Sequence, residues 1–121
     1  MRLFALRGAT SVERNEASAI LRATEELVHE LMARNDLAVE RLVSCIFTAT
    51  EDLDAEFPAV AARRLGLDQV PLLCAREIAV EGAMPRVIRA LVHYHADDEH
   101  VPRHVYLGDA QALRADLHTA Q

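Results

Sequence analysis

Between residues 16 and 34 the chain carries one apolar stripe at helical spacing: Ile20, Leu21, Thr24, Leu27, Val28, Leu31 and Met32. Side chains that recur every three or four residues share one face of an α-helix, and a face this wide must be buried against another element. Asn15 is expected to cap this helix and Glu16 to sit at its positive end. Glu25, Glu26, Glu30 and Arg34 line the solvent side, and Asn35-Asp36 ends the helix. The other apolar segments are short and rich in β-branched or aromatic residues, as strands are: 2–10 (RLFALRGAT), 42–48 (LVSCIFT), 70–75 (VPLLCA), 86–95 (RVIRALVHYH) and 103–107 (RHVYL). A second helix is expected from Pro58, at its first position, to Gly66, its natural stop, with a further helical turn at 109–113.

The order β-α-β-α-β-β-β predicts an α+β fold, a mixed sheet with helices on one face. The period of two assigns the sheet's faces. Leu3, Ala5 and Arg7 share one, and so do Arg89, Leu91, His93 and His95. Gly8 is expected to allow a turn or bulge after Arg7, and Pro71 to place its strand at an edge. Two helices do not cover both faces of such a sheet. Self-association through the bare face is the simplest remedy, and it would set site residues at subunit boundaries.

Composition narrows the chemistry. A chain of 121 residues predicts one domain over 1–121, with a mobile tail at 115–121. The net charge of −6 and the lack of a basic run argue against nucleic acid as a partner. All 13 basic residues are arginine, which removes lysine Schiff-base chemistry and P-loop nucleotide sites. Any anion site must be built from arginine forks, helix N-termini or backbone N–H groups. No apolar run reaches the ~20 residues of a membrane helix. Arg7 interrupts the short apolar N-terminus too soon for a secretory signal, so a cytoplasmic protein with Cys45 and Cys74 reduced is expected.

Several side chains could carry chemistry. Arg7, Arg63, Arg76, Arg89 and Arg114 lie in or beside apolar segments. Each must find an acid, snorkel to water, or share an anionic ligand with the others. Glu77, closing the run VPLLCARE, could be a buried acid, an ion-pair partner or a hydrogen-bond acceptor for substrate. Cys74 reads as a small hydrophobe, with no local Cys-His signature. His93 and His95 share a strand face, but no third ligand follows at a diagnostic spacing, so no metal site is expected.

Four strings, taken together, resemble the monofunctional, Bacillus-type chorismate mutase family. They are Arg7-Gly8-Ala9-Thr10 with Val12-Glu13; Thr48-Ala49-Thr50-Glu51-Asp52-Leu53 with Phe57-Pro58-Ala59 and Arg63; Val70-Pro71-Leu72 with Cys74 and Glu77; and Arg103-His104-Val105-Tyr106-Leu107 with Ala110, Leu113-Arg114 and Asp116-Leu117. Ile88-Arg89 fits between the last two, and the likeness is collinear from Arg7 to Leu117.

The resemblance implies a homotrimer with a pseudo-α/β-barrel core and active sites between subunits. It also implies the Claisen rearrangement of chorismate to prephenate, on the route to phenylalanine and tyrosine, with neither metal nor organic cofactor. A unimolecular pericyclic reaction needs no nucleophile or general base, only a grip on a compact conformer and stabilisation of separating charge. On this likeness Arg89 donates to the ether oxygen. Arg7 and Tyr106 grip the side-chain carboxylate, with Arg7 also near that oxygen. Glu77 accepts from the ring hydroxyl and faces the electron-poor ring. Cys74, with the backbone of Leu73 and Ala75, lines the pocket, and Arg76 belongs to the same substrate-binding segment. Phe57, Ala59 and Arg63 form a neighbouring subunit's wall, and Leu113 and Arg114 close over the ligand. Two departures stand out: Val60 replaces a lysine of some relatives, and the stretch from Leu65 to Val70 is one residue shorter.

Overall fold

The computed structural model describes residues 1–116, and side chains over residues 1–113. The strands are β1 (Arg2–Ser11), β2 (Leu42–Ala49), β3 (Leu72–Arg76), β4 (Val87–Ala96) and β5 (Val105–Leu107), and the helices are α1 (Ala17–Arg34) and α2 (Ala59–Arg64). A 3₁₀ turn spans Val39–Arg41, and a longer 3₁₀ segment, Gly108–Asp116, replaces the short turn expected at 109–113. Arg114 and the expected mobile tail fall where side chains are not described, and residues from 117 on lie outside the described chain.

One five-stranded sheet runs in the order β3-β2-β4-β1-β5. Antiparallel pairs join β4 to β1 and to β2, and parallel pairs join β1 to β5 and β2 to β3. The sheet is mixed, as the α+β reading expects. β3 is an edge strand that starts just after Pro71, whose carbonyl accepts from the Cys45 N–H at 3.0 Å.

Both helices lie on one face. Residues directly opposite each other in a sheet point the same way, so the register gives a row Cys74–Phe47–Ala90–Gly8–Val105 on that side. The alternate residues Leu6, Cys45 and Val92 continue it, and Ile20, Leu27, Val28 and Leu31 of α1 with Ala59 and Ala62 of α2 complete one core. Burying each large apolar side chain contributes roughly 1.5–3 kcal/mol.

Gly8 does not make the expected turn. β1 continues to Ser11, and the glycine is there for space: a Cβ would stand 3.0 Å from Leu27 Cδ1 and 3.1 Å from the Leu31 methyls. Asn15 does not cap α1 either. Glu16 is the N-cap residue, without a side-chain cap bond, while Asn15 Oδ1 accepts from the N–H groups of Asp54 and Ala55. Pro58 stands at the N-cap of α2, one place earlier than expected, and Gly66 (φ 96°) follows its end in the left-handed conformation that favours glycine.

Among the described residues the opposite face carries no α-helix. Leu3 and Leu73 stand out on it, 55% and 59% exposed, with Ala5, Ile46 and Leu91 beside them in register. At the β5 end, the 3₁₀ segment folds over it locally, and Ala9, Val87, Tyr106 and Ala110 form a second small cluster.

Candidate active site

The bare face brings together three of the charged residues singled out in the sequence, Arg7, Glu77 and Arg89. One row across all five strands reads Ala75–Thr48–Arg89–Ala9–Tyr106, and the adjacent row reads Leu73–Ile46–Leu91–Arg7. Arg89 projects from the central strand because β4 alternates: Ile88 and Ala90 face the helices, so Arg89 cannot. Arg7 reaches the same side by the same alternation in β1, between Leu6 and Gly8.

Glu77 follows the last residue of β3. Its N–H donates to the Ala49 carbonyl at 3.0 Å, which extends the parallel pairing by one residue and turns its side chain to the face of Ala75. There Glu77 Oε2 accepts from Thr48 Oγ1 at 2.7 Å and from Arg89 Nε at 3.0 Å. The side chains of Arg89 and Glu77 are 38% and 15% exposed. A pair this open to water adds on the order of 0–1 kcal/mol to stability. Its effect is directional: with Nε held by Glu77, the guanidinium plane is fixed over the sheet. Of the readings open for Glu77 from sequence, the ion pair is the one present in the free chain.

Arg7, Ile46, Thr48, Arg89, Leu91 and Tyr106 line an open recess of about 220 Å³ on this face. Leu113 packs against the small cluster that contains Tyr106. Arg7 and Arg89 bring two guanidinium groups to the recess, the second held by the Glu77 carboxylate.

Phe57, Ala59, Arg63, Cys74 and Arg76 do not line this recess within one chain. Phe57 is 68% exposed on the loop before α2 and shares a groove at the β3 edge with Cys74, Ala75 and Arg76. Arg76 Nη1 donates to the Glu51 carbonyl at 3.0 Å. Cys74 itself lies on the helical side of β3, half-buried against the main core. Ala59 is buried in that core, Val60 is half-buried, and Arg63 is exposed on α2.

Two contributors carry no role in the sequence reading. Thr48 anchors Glu77, and the alternation of LVSCIFT puts it on the face of Ser44 and Ile46, which is the signal that could have found it. His104 accepts the backbone N–H of Arg7 at Nδ1, 3.0 Å away, a contact between residues 97 positions apart that no local pattern reveals. His93, on the same face, bonds Ser44 Oγ at 3.1 Å. Among the described residues no group of three or more His, Cys, Asp or Glu side chains is arranged to hold a metal ion. Burial, with Cys74 adding to it, pushes the Cys45 thiol up to about 12, so Cys45 is an inert core residue.

Burial first, and the charge of Arg7 second, hold His104 below the ordinary histidine value. The unfolded chain therefore takes up this proton first as pH falls. The contribution of neutral His104 is whole above about pH 6.5, and it is lost as pH falls through the lower folded value. Between pH 7 and 5 the melting temperature should drop more steeply for the wild type than for His104→Gln. Equal slopes would mean that His104 titrates alike in the folded and unfolded chains.

The model for the family described as chorismate mutase type I matches residues 3–117. The chain belongs to the type I chorismate mutase family. It is 48% identical over 118 residues to chorismate mutase AroH of Thermus thermophilus, covering 96% of this chain and 97% of that one. It is 38% identical over 122 residues to chorismate mutase AroH of Bacillus subtilis (strain 168), covering 97% and 94%. Its fold superposes on a chorismate mutase from Clostridium thermocellum with a TM-score of 0.87 at 41% identity, covering 90% of this chain and 98% of that chain. Likeness over the whole length means that the bare sheet face, and not only the core behind it, belongs to the shared architecture. Among the described residues no helix is long and apolar enough to cross a membrane.

Proposed function

We infer that this chain catalyses the rearrangement of chorismate to prephenate, an isomerase step of aromatic amino-acid biosynthesis. The observation that carries this reading is Arg89, oriented by Glu77 and set beside Arg7 and Tyr106 on one open sheet face. Chorismate is a dicarboxylate whose reacting C–O bond develops negative charge on oxygen as it breaks. Arg7 and Tyr106 hold the side-chain carboxylate. Arg89 presents its guanidinium to the ether oxygen, where a pre-aimed cation is worth most in the transition state. Glu77 keeps that guanidinium in place and accepts from the ring hydroxyl.

The working form is a cytoplasmic homotrimer. Arg7, Arg89 and Tyr106 open onto the bare face, while Phe57, Arg63 and Arg76 stand at or beyond the β3 edge of the same chain. A second copy docked on the bare face brings its edge set to the first copy's face set, so each site draws on two subunits. This also covers the apolar side chains of Leu3, Leu73 and Leu91. Leu113 and Arg114 close over the bound substrate, and the segment Leu73–Arg76 with Cys74 lines the pocket.

The test is ultraviolet monitoring of chorismate consumption by the purified protein with no metal or cofactor added. Acidification of the product should give phenylpyruvate. Mixing Arg89→Ala with Arg63→Ala, each impaired alone, should restore part of the activity, since hybrid trimers contain some intact sites. A folded protein that leaves chorismate untouched would overturn the reading. Turnover without complementation would confine each site to one subunit.

A further inference from the structure

Asn35 stands at the C-cap of α1 and is only 5% exposed. All of its side-chain polar capacity but one Oδ1 lone pair is accounted for. Nδ2 donates to the Leu31 carbonyl and to the Arg103 carbonyl, both at 2.9 Å, and Oδ1 accepts from the Arg103 N–H at 2.7 Å. The bond to Leu31 satisfies one of the carbonyls that a helix end leaves unpaired. The two bonds to Arg103 reproduce what one antiparallel strand residue offers another, here made by a side chain.

What Asn35 grips leads directly to the recess. His104 follows Arg103 and accepts the Arg7 N–H, and two residues later Tyr106 pairs opposite Ala9, beside Arg89 in the same row. β5 has only three residues and pairs with one neighbour, in parallel. So short an edge strand holds its register weakly by its own ladder. The buried end of α1, locked into the core by Leu27 and Leu31, supplies the missing rigidity.

We propose that Asn35 is a positioning residue of the substrate site: through Arg103 it fixes the path of 103–106 and thereby sets Tyr106 and the His104–Arg7 contact. This inference rests on the proposed chorismate site. Asn35 touches no reacting group. Its loss loosens a grip exerted alike on ground and transition states, which raises KM and leaves kcat near its normal value.

The experiment compares Asn35→Ala and Asn35→Asp with the wild type. The aspartate keeps the shape and the acceptor for the Arg103 N–H but neither donor, so it removes the grip on both carbonyls without opening a cavity. Chorismate kinetics should show KM raised about tenfold, the scale of one or two lost hydrogen bonds, with kcat within about threefold. In the free protein, the NMR titration of the His104 ring should move up toward about 6.5 in both variants as the ring leaves its place against Arg7. A folded variant with unchanged KM, a loss wholly in kcat, or an unmoved His104 titration would overturn the proposal. A wild type inert toward chorismate, with the His104 titration still shifted in the variants, would overturn the functional reading alone and leave the clamp on 103–106 standing.

Discussion

Arg89→Ala is expected to lose about two to three decades of kcat, the roughly 2.7–4 kcal/mol that a pre-aimed donor to a developing oxyanion supplies. Arg89 lies on the central strand, but its side chain projects away from the core, and among the described residues its charged partner is the largely buried carboxylate of Glu77. Alanine therefore leaves no cavity, and the melting temperature should change little. Large rate loss beside small stability loss separates a catalytic arginine from a structural one. Arg89→Lys should also be poor. The ammonium keeps the charge but cannot offer Nε to Glu77 and a second N–H to substrate in one plane. A steady-state assay of the three proteins decides it: Arg89→Ala retaining more than half of its turnover would remove Arg89 from the reaction.

Glu77→Ala should cost about a hundredfold in kcat, by freeing the guanidinium from its fixed plane and removing an acceptor for substrate. Glu77→Gln separates the two losses. The amide can still accept from Thr48 Oγ1, so the local chain path survives, but the charge that anchors Arg89 Nε is gone. An intermediate kcat is expected for glutamine, with a melting temperature close to the wild type, because so exposed a pair contributes on the order of 0–1 kcal/mol. Near-normal turnover in Glu77→Ala would leave Glu77 as an ion-pair partner and nothing more.

The parts of this fold that were legible in the sequence are those fixed by periodicity. The α1 stripe, the alternation that sets Arg7 with Leu3 and Ala5 and Arg89 with Leu91 and His93, and Pro71 at the start of an edge strand all follow from side chains a few positions apart. The chain order of elements identified the α+β class. What sequence could not supply was register. That Thr48, Arg89 and Ala9 stand in one row depends on pairings between distant strands, and these are chosen by the whole core. Gly8 and Asn15 show the same limit. Each has a conformational or capping use by local rules, and each is committed instead to a distant partner: the leucines of α1 for Gly8, the backbone at 54–55 for Asn15. Cys74 sits on the helical side of β3, by the alternation from Leu73 to Glu77, and reaches the β3-edge groove beside Phe57 and not the recess of Arg89. The likeness to a known family named candidate site residues but not which of them a single chain brings together.

The strand order also fixes when the sheet can exist as the chain is made. β1 is synthesised first, yet its neighbours are β4 and β5, the last two strands to emerge. Until β4 is available, only the nearby pair β2 and β3, joined through α2, has its partner. Distant pairings of this kind carry the loop-closure cost before any reward, which makes their formation slow. β4 touches both β1 and β2, so its arrival joins two halves that have no other strand in common. The same event seats Arg89 between Thr48 and Ala9, and no shorter length of this chain can do so.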